Sequence, residues 1–227
     1  MLALLYDVHG NLPALEAVLA DAEAAGAGGW ILGGDYALFG GWPAETIERL
    51  RALERASWIR GNGERWTADP DSAPENAVVP GAVAAARAAL GEGTVADLAS
   101  LPFSYPLEGT LFCHGSPLSD VRSFEPAATD EDAELLDGTR AGRVVFGHTH
   151  LPFARTAGAV ELINPGSVGM PFDGDPRAAY ALLHDDGRIE HRRVGYDHAA
   201  SAARVRDAGE AWAEAVARRI ERARINT

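Results

Sequence analysis

The chain has no lysine; all 20 of its basic residues are arginine, against 33 acidic residues, for a net charge of −13. An acidic body repels nucleic-acid phosphates and anionic membranes, which disfavours a polymer or membrane partner. A small phosphorylated substrate would then need a local positive centre, such as metal ions. Cysteine is also scarce. Cys113 is the only one, which excludes a disulfide framework and a thiolate metal cluster. No run approaches the roughly 18 apolar residues of a membrane span. The start, MLALLYDVHGN, lacks a basic leader region and its apolar run breaks at Asp7, so a cytoplasmic location is the expectation. At 47% hydrophobic and 23% charged over 227 residues, the composition is that of an ordinary globule with one sizeable core, read as one domain over 1–227.

Apolar runs alternate with helical patterns in the first half. LALLY (2–6) reads as a buried strand, and LPALEAVLADAEAAG (12–26) as a helix with Leu12, Leu15, Val18 and Leu19 on one stripe. GWIL (29–32), PAETIERLRALE (43–54, opening on Pro43) and SWIR (57–60) continue the series as strand, helix, strand. This order predicts a parallel sheet covered by helices. An irregular acidic stretch, 67–80, follows, then Ala-rich helices over 82–90 and 94–100. Later segments are strand-like: TLFCH (110–114), RVVFG (143–147), FARTA (153–157), VELIN (160–164), AAYALLH (178–184) and GRIEHRRV (187–194), with a hairpin turn at 185–187. They predict a second, more antiparallel sheet, making a two-sheet α/β sandwich with flanking helices. The tail, about 198–224, reads as a helix that packs Val205, Trp212, Val216 and Ile220 on the core and turns its arginines to solvent.

The unusual polar residues collect where predicted strands end. Asp7 and His9 follow the first strand at i, i+2, a spacing that points both side chains one way in extended chain. Asp35 follows the second strand, Asn62 the third, His114 ends TLFC, and His148 and His150 follow RVVFG. The carboxyl edge of an open α/β sheet is where ligands bind, and the flanking glycines let backbone approach one. Four of the seven histidines, two aspartates and one asparagine meet there. Seven N/O ligands exceed one tetrahedral ion and suit two ions of higher coordination that share a carboxylate. Donors of this type, without thiolate, suit Mn, Fe, Co, Ni or Zn.

The series DVHGN (7–11), GGD (33–35), GN (61–62), H-G (114–115) and GHTH (147–150), in this order, resembles the calcineurin-like metallophosphoesterases, and covers residues 1 to about 170. NPGS (164–167) is similar to the small bacterial and archaeal members of the YfcE-like phosphodiesterase kind. The resemblance implies a four-layer α/β/β/α fold and two divalent ions, manganese first. One ion would be held by Asp7, His9 and His150, the other by Asn62, His114 and His148, with Asp35 bridging. Ions about 3.5–4 Å apart would hold a bridging hydroxide as nucleophile, with Asp35, Asn62 and His114 at the reacting centre.

Many members read GNH followed by an acid, the histidine protonating the leaving oxygen; here position 63 is glycine and the acid is Glu64. The general acid is therefore unassigned. Either the leaving group is a good one, or Arg60, Arg65 or Glu64 supplies the proton. Asn11, Arg60 and Arg65 are candidates to touch the substrate, Asn11 having a helix cap as its alternative role. Loops 36–43 and 66–80 carry Tyr36, Phe39, Trp42 and Trp66, rings that either stack a substrate group or anchor the loops. Cys113 reads as a buried strand residue, and His184, His191 and His198 as remote from the site. The expected activity is hydrolysis of phosphodiesters or activated esters, with a phosphomonoesterase or dinucleoside-polyphosphate hydrolase as alternative. A scaffold without activity would be expected to have lost ligands, and all seven are present.

Overall fold

A strand buried on both faces needs apolar residues at every position, and the first strand, β1 (Leu2–Leu5), is apolar throughout. Ala3 and Leu5 enter the core beneath the first helices, while Leu4 enters a second core on the opposite face. The computed structural model describes residues 1–225 and explains the two cores. β1 pairs parallel with β2 (Gly29–Leu32), and β2 with β3 (Ala56–Trp58). Helices α1 (Leu12–Ala24) and α2 (Pro43–Arg51) make the crossovers. Asn11 caps α1, its Oδ1 accepting from Ala14 N.

The second sheet has the order β4 (Ser104–Leu107), β5 (Thr110–Cys113), β6 (Arg143–Val145), β8 (Val160–Asn164), β7 (Phe153–Ala157). Its three central strands are parallel, and only the edge strands β4 and β7 run antiparallel. The expected antiparallel character is thus confined to the edges. A further departure concerns β9 (Ala178–Leu183) and β10 (Ile189–Val194). They form the hairpin read from sequence but return to the first sheet, where β9 pairs antiparallel with β1. Ala178, Tyr180 and Leu182 join the helix-side core while Ala181 points into the sandwich, so β9 supplies the two-sided burial that β1 needs.

Leu4, Tyr6, Ile31, Phe112, Val145 and Ile163 fill the space between the sheets. On the outer side of the second sheet Phe124 and Leu135, from the 115–140 segment and its short helix α5 (Asp132–Leu135), cover Cys113, Val144, Phe146 and Leu162. The layers are therefore helices, sheet, sheet, and a thin helical cover. The stretch read as irregular, 67–80, takes in only the end of a helix not read from sequence, α3 (Asn62–Ala68), and a single 3₁₀ turn at Pro70–Ser72. The two Ala-rich helices are present, joined within α4 (Val79–Ala99) by a kink at the non-helical Gly91, φ +73°. The tail is not one helix but two, α6 (His198–Arg206) and α7 (Ala211–Arg222), separated around Gly209 with φ +71°. Trp212 of α7 lies over α4 at Gly81, where a Cβ would stand 2.4 Å from the indole. Among the described residues no helix is long and apolar enough to cross a membrane.

Candidate metal centre

The loops after β1 and β2 are zipped together by backbone hydrogen bonds from Asp7 N to Gly34 O, His9 N to Asp35 O and Gly10 N to Tyr36 O, at 3.1, 2.9 and 2.7 Å. Holding the side chains at this edge forces the backbone out of its common conformations. Asp7, His9, Asp35, His148 and His150 all have positive φ, between 50° and 65°. A left-handed non-glycine residue costs on the order of 1–3 kcal/mol and persists only where its surroundings over-determine it. Five such residues concentrate several kcal/mol of strain in one small volume.

All seven expected ligands meet there, four from loops of the first sheet and three from loops of the second. His9 Nδ1 bonds to Leu38 O, His114 Nδ1 to Gly33 O and His150 Nδ1 to Met170 O, at 3.0, 2.9 and 2.6 Å. A ring nitrogen bonded to a carbonyl carries the proton, so each Nε2 faces the centre as a lone pair. Asp7, His9 and His150 form one group of donor atoms, and Asp7, Asp35 and His114 a second. Asn62 Oδ1 lies 2.9 Å from His114 Nε2 and 2.8 Å from His148 Nδ1. Asp35 stands between the groups, Oδ2 3.9 Å from His9 Nε2 and Oδ1 3.5 Å from His114 Nε2.

The donor set fits cations. Asp7 Oδ2 accepts from His148 N, but Oδ1 is buried with no hydrogen-bond partner, 3.4 Å from His150 Nε2. His9 Nε2 and His150 Nε2, both unprotonated in the tautomers above, face each other at 3.1 Å. Turned with its nitrogen inward, the Asn62 amide donates to His114, His148 and Asp120 O; with its oxygen inward, three acceptors converge. Convergent acceptors are what a divalent ion requires. Burial, then the neighbouring His150, pushes His9 down to about 3, and burial with His114 does the same to His148, so both imidazoles stay neutral, the form a metal ligand needs. Burial, reinforced by Glu64 and Asp7 against the pull of His114, raises Asp35 to about 7. Burial also opposes the Asp7 charge, but His150, His114 and His9 hold that carboxyl well below the usual range. For His114 the burial effect, which lowers it, is outweighed by Asp35 and Asp7.

The residues proposed for substrate contact fare differently. Asn11 spends its amide on structure: Nδ2 donates to Gly169 O and Tyr196 OH, and Oδ1 accepts from Ala14 N and Ser201 OH. Arg65 is held by Asp120 through two 2.7 Å hydrogen bonds. Glu64 accepts from Asp35 N, Tyr36 N and Gly61 N, each at 2.8 Å. Arg60 Nε is buried and without a partner among the described residues. Gly63 N donates to Asp35 Oδ1 at 2.6 Å, and a Cβ at 63 would stand 2.8 Å from the same oxygen. Tyr36 is a buried anchor, while Phe39 and Trp66 line a cavity of about 440 Å³ above the cluster. Cys113 is fully buried, which pushes its thiol up. His184 bonds to Glu190 and His191 to Asn164 O, and neither belongs to the clustered donors.

Sequence reasoning passed over several supports. Asn164 of NPGS donates to Gly147 O and Thr149 Oγ1, and Ser167 donates to Asp7 O, so the motif braces both ligand loops. Phe172 stacks on His150 with 4.3 Å between centroids. Arg219 of α7, expected in solvent, lines the cavity instead. Its place three residues after Val216 and seven after Trp212 was the available signal, since those positions share a helix face.

Residues 1–188 match the family model of the calcineurin-like phosphoesterase superfamily domain. The phosphodiesterase YfcE of Escherichia coli is 30% identical over 190 residues, 79% of this chain and 85% of that protein. The uncharacterised protein MJ0912 of Methanocaldococcus jannaschii is also 30% identical, over 87% of this chain and 88% of its own. A metallophosphoesterase structure from Sphaerobacter thermophilus superposes with a TM-score of 0.84 at 29% identity over 98% of each chain. PH1004 of Pyrococcus horikoshii shares the fold at 0.82, with 19% identity over 98% of this chain and 99% of its own.

Proposed function

Because the chain belongs to the calcineurin-like phosphoesterase superfamily, we propose that its strand-end cluster holds two divalent ions and hydrolyses small phosphodiesters and other phosphate esters with good leaving groups. Membership makes the protein a metal-dependent phosphoester hydrolase. In this reading Asp7, His9 and His150 would hold one ion and Asn62, His114 and His148 the other, with Asp35 shared between them. Manganese is the first candidate, on the family resemblance. Two bound ions supply Lewis-acid stabilisation of the phosphoryl oxygens and an acidified water.

The chain's own contribution is to hold this donor set and to exclude alternatives. Carbonyls on Nδ1 fix His9, His114 and His150 with their lone pairs inward. The Glu64 carboxylate ties the Asp35 and Gly61 loops together, keeping Asp35 between the two groups. The observation that carries the leaving-group preference is that none of the three candidates around Gly63 has a proton to give: among the described residues Glu64 and Arg65 are engaged, and Arg60, whose Nε is unpartnered, is a guanidinium that does not deprotonate. Glu64 is occupied by three amides and Arg65 by Asp120. A positioned acid is worth about 10²–10⁴-fold, and an ester whose leaving oxygen needs no proton escapes that loss. Polyphosphate leaving groups meet the same condition, which keeps a dinucleoside-polyphosphate hydrolase as the second reading.

The test is hydrolysis by Mn²⁺-reconstituted protein of diesters whose leaving alcohols increase in basicity. Rates are expected to fall steeply along the series, and product analysis on polyphosphates separates the second reading. Asp35→Asn is expected to cut turnover to below about one hundredth while the circular dichroism spectrum is retained. Unchanged turnover in that variant refutes the assignment.

A further inference from the structure

The cavity above the cluster has a floor of candidate ligands, His9, Asp35, Asn62, His148 and His150, and a largely apolar wall. Phe39, Trp66, Met170 and Phe172 contribute to that wall, and one cation interrupts it: Arg219, from α7. Two other arginines of the tail are paired, and Arg222 and Arg224 are exposed to solvent. Arg206 binds Glu214 and Glu221, and Arg218 binds Glu214. Arg219 is only partly accessible and has no hydrogen bond or ion pair with any described residue. Burial without a partner lowers its affinity for its proton. In a chain with 33 acidic residues and 20 arginines, a half-buried guanidinium that no carboxylate of the described residues meets is a costly arrangement. It is relieved when a ligand supplies the anion, and a guanidinium matches the two oxygens of a carboxylate or phosphate.

Resting on the phosphoesterase reading of the floor, we propose that Arg219 binds a second anionic group on the organic part of the substrate, beside an aromatic or apolar body held by Phe39, Trp66 and Phe172. The preferred substrate class is then a phosphate ester carrying a carboxylate or a further phosphate on an apolar frame. The site is completed by α7, which lies beyond the residues of the family-model match. Arg219 is a specificity residue, remote from the bonds that change.

Phosphonates, which are not hydrolysed, separate binding from turnover. Phenylphosphonate, 4-carboxyphenylphosphonate and 1,4-phenylenediphosphonate are titrated calorimetrically into the Mn²⁺-loaded protein. At least one dianionic-frame probe is expected to bind about tenfold or more tightly than phenylphosphonate, as one charge-assisted pair provides. Which of the two wins identifies the second anion as carboxylate or phosphate. Arg219→Gln is expected to erase the difference while leaving phenylphosphonate affinity and 4-nitrophenyl phenyl phosphate hydrolysis within about twofold, and Arg219→Lys to keep part of it. Equal binding of the three probes by the wild-type protein overturns the inference, whatever the variants do. If the simple aryl diester is still hydrolysed in that case, the phosphoesterase reading stands and only the Arg219 subsite falls. If no probe binds and no ester is cleaved, both fall.

Discussion

Three backbone amides converge on the Glu64 carboxylate, in a residue only 3% exposed. Its neighbour in sequence, Gly63, and the ligands Asp35 and Asn62 all take their places from this junction. Removing the carboxylate leaves three buried N–H groups unpaired, at about 1–3 kcal/mol each before relaxation. Glu64→Ala is therefore expected to lower stability by about 3 kcal/mol or more in urea denaturation, and to lose activity. Glu64→Gln, which keeps one acceptor oxygen, is expected to cost less than half as much. A Glu64→Ala protein as stable as the wild type would show that the junction is not what holds these loops. Glu64 was visible in the sequence only as the acid after GN; that it bonds two loops at once depends on Asp35 and Gly61 lying side by side, which no local pattern records.

At the level of elements, packing surfaces can be tested one at a time. Trp212 of α7 sits where a Cβ on Gly81 of α4 would be, so Gly81→Ala is expected to destabilise by about 1–3 kcal/mol through overpacking, read from the denaturation midpoint. An undisturbed midpoint would mean that α7 docks elsewhere. On the far side of the molecule Arg155 of β7 grips Asp132 of α5 with bonds of 2.6 and 2.9 Å. Arg155 holds that carboxyl below its usual value. A depressed folded pKa contributes stability above the unfolded value, near 3.9, and loses it as pH falls through the folded one. The Asp132→Asn penalty is thus expected to be about 1–3 kcal/mol at pH 7, unchanged down to about pH 5, and to shrink as pH falls below about 4. A penalty independent of pH excludes this origin. The strands and helices themselves were largely legible, because β1, β2 and β9 are apolar at every step and α1 shows its stripe openly. Which sheet β9 and β10 would join was not legible. A hairpin's sequence records its turn and its alternation, whereas its neighbour is settled by β1 having a free edge. The tail break at Gly209 and the inward Arg219 escaped for a similar reason: the stripe through Trp212 and Ile220 fixes a face, not what that face meets.

For the whole molecule, the proposed two-ion centre predicts that stability depends on ions, which would relieve the strained loops and the convergent acceptors. A ligand at 100 times its dissociation constant stabilises by about 2.7 kcal/mol, so two sites give about 5 kcal/mol. For a chain of this size that is roughly 10–20 °C in Tm. Mn²⁺ is expected to raise Tm by this order relative to chelator, and the rise to shrink by at least half in Asp35→Asn. Equal Tm values with Mn²⁺ and with chelator would remove the case for a metal centre. The donors come from two directions: Asp7, His9, Asp35 and Asn62 hang from the first sheet, and His114, His148 and His150 from the second. Mechanically, the sandwich is a book, and on the proposed reading its ions would be a clasp on one edge. Closing the clasp resists shear between the two covers and shifts their parting to the opposite edge, where Arg143 reaches across to Gly187 O. Hydrogen exchange of the loaded protein should then open from that unclasped edge inward.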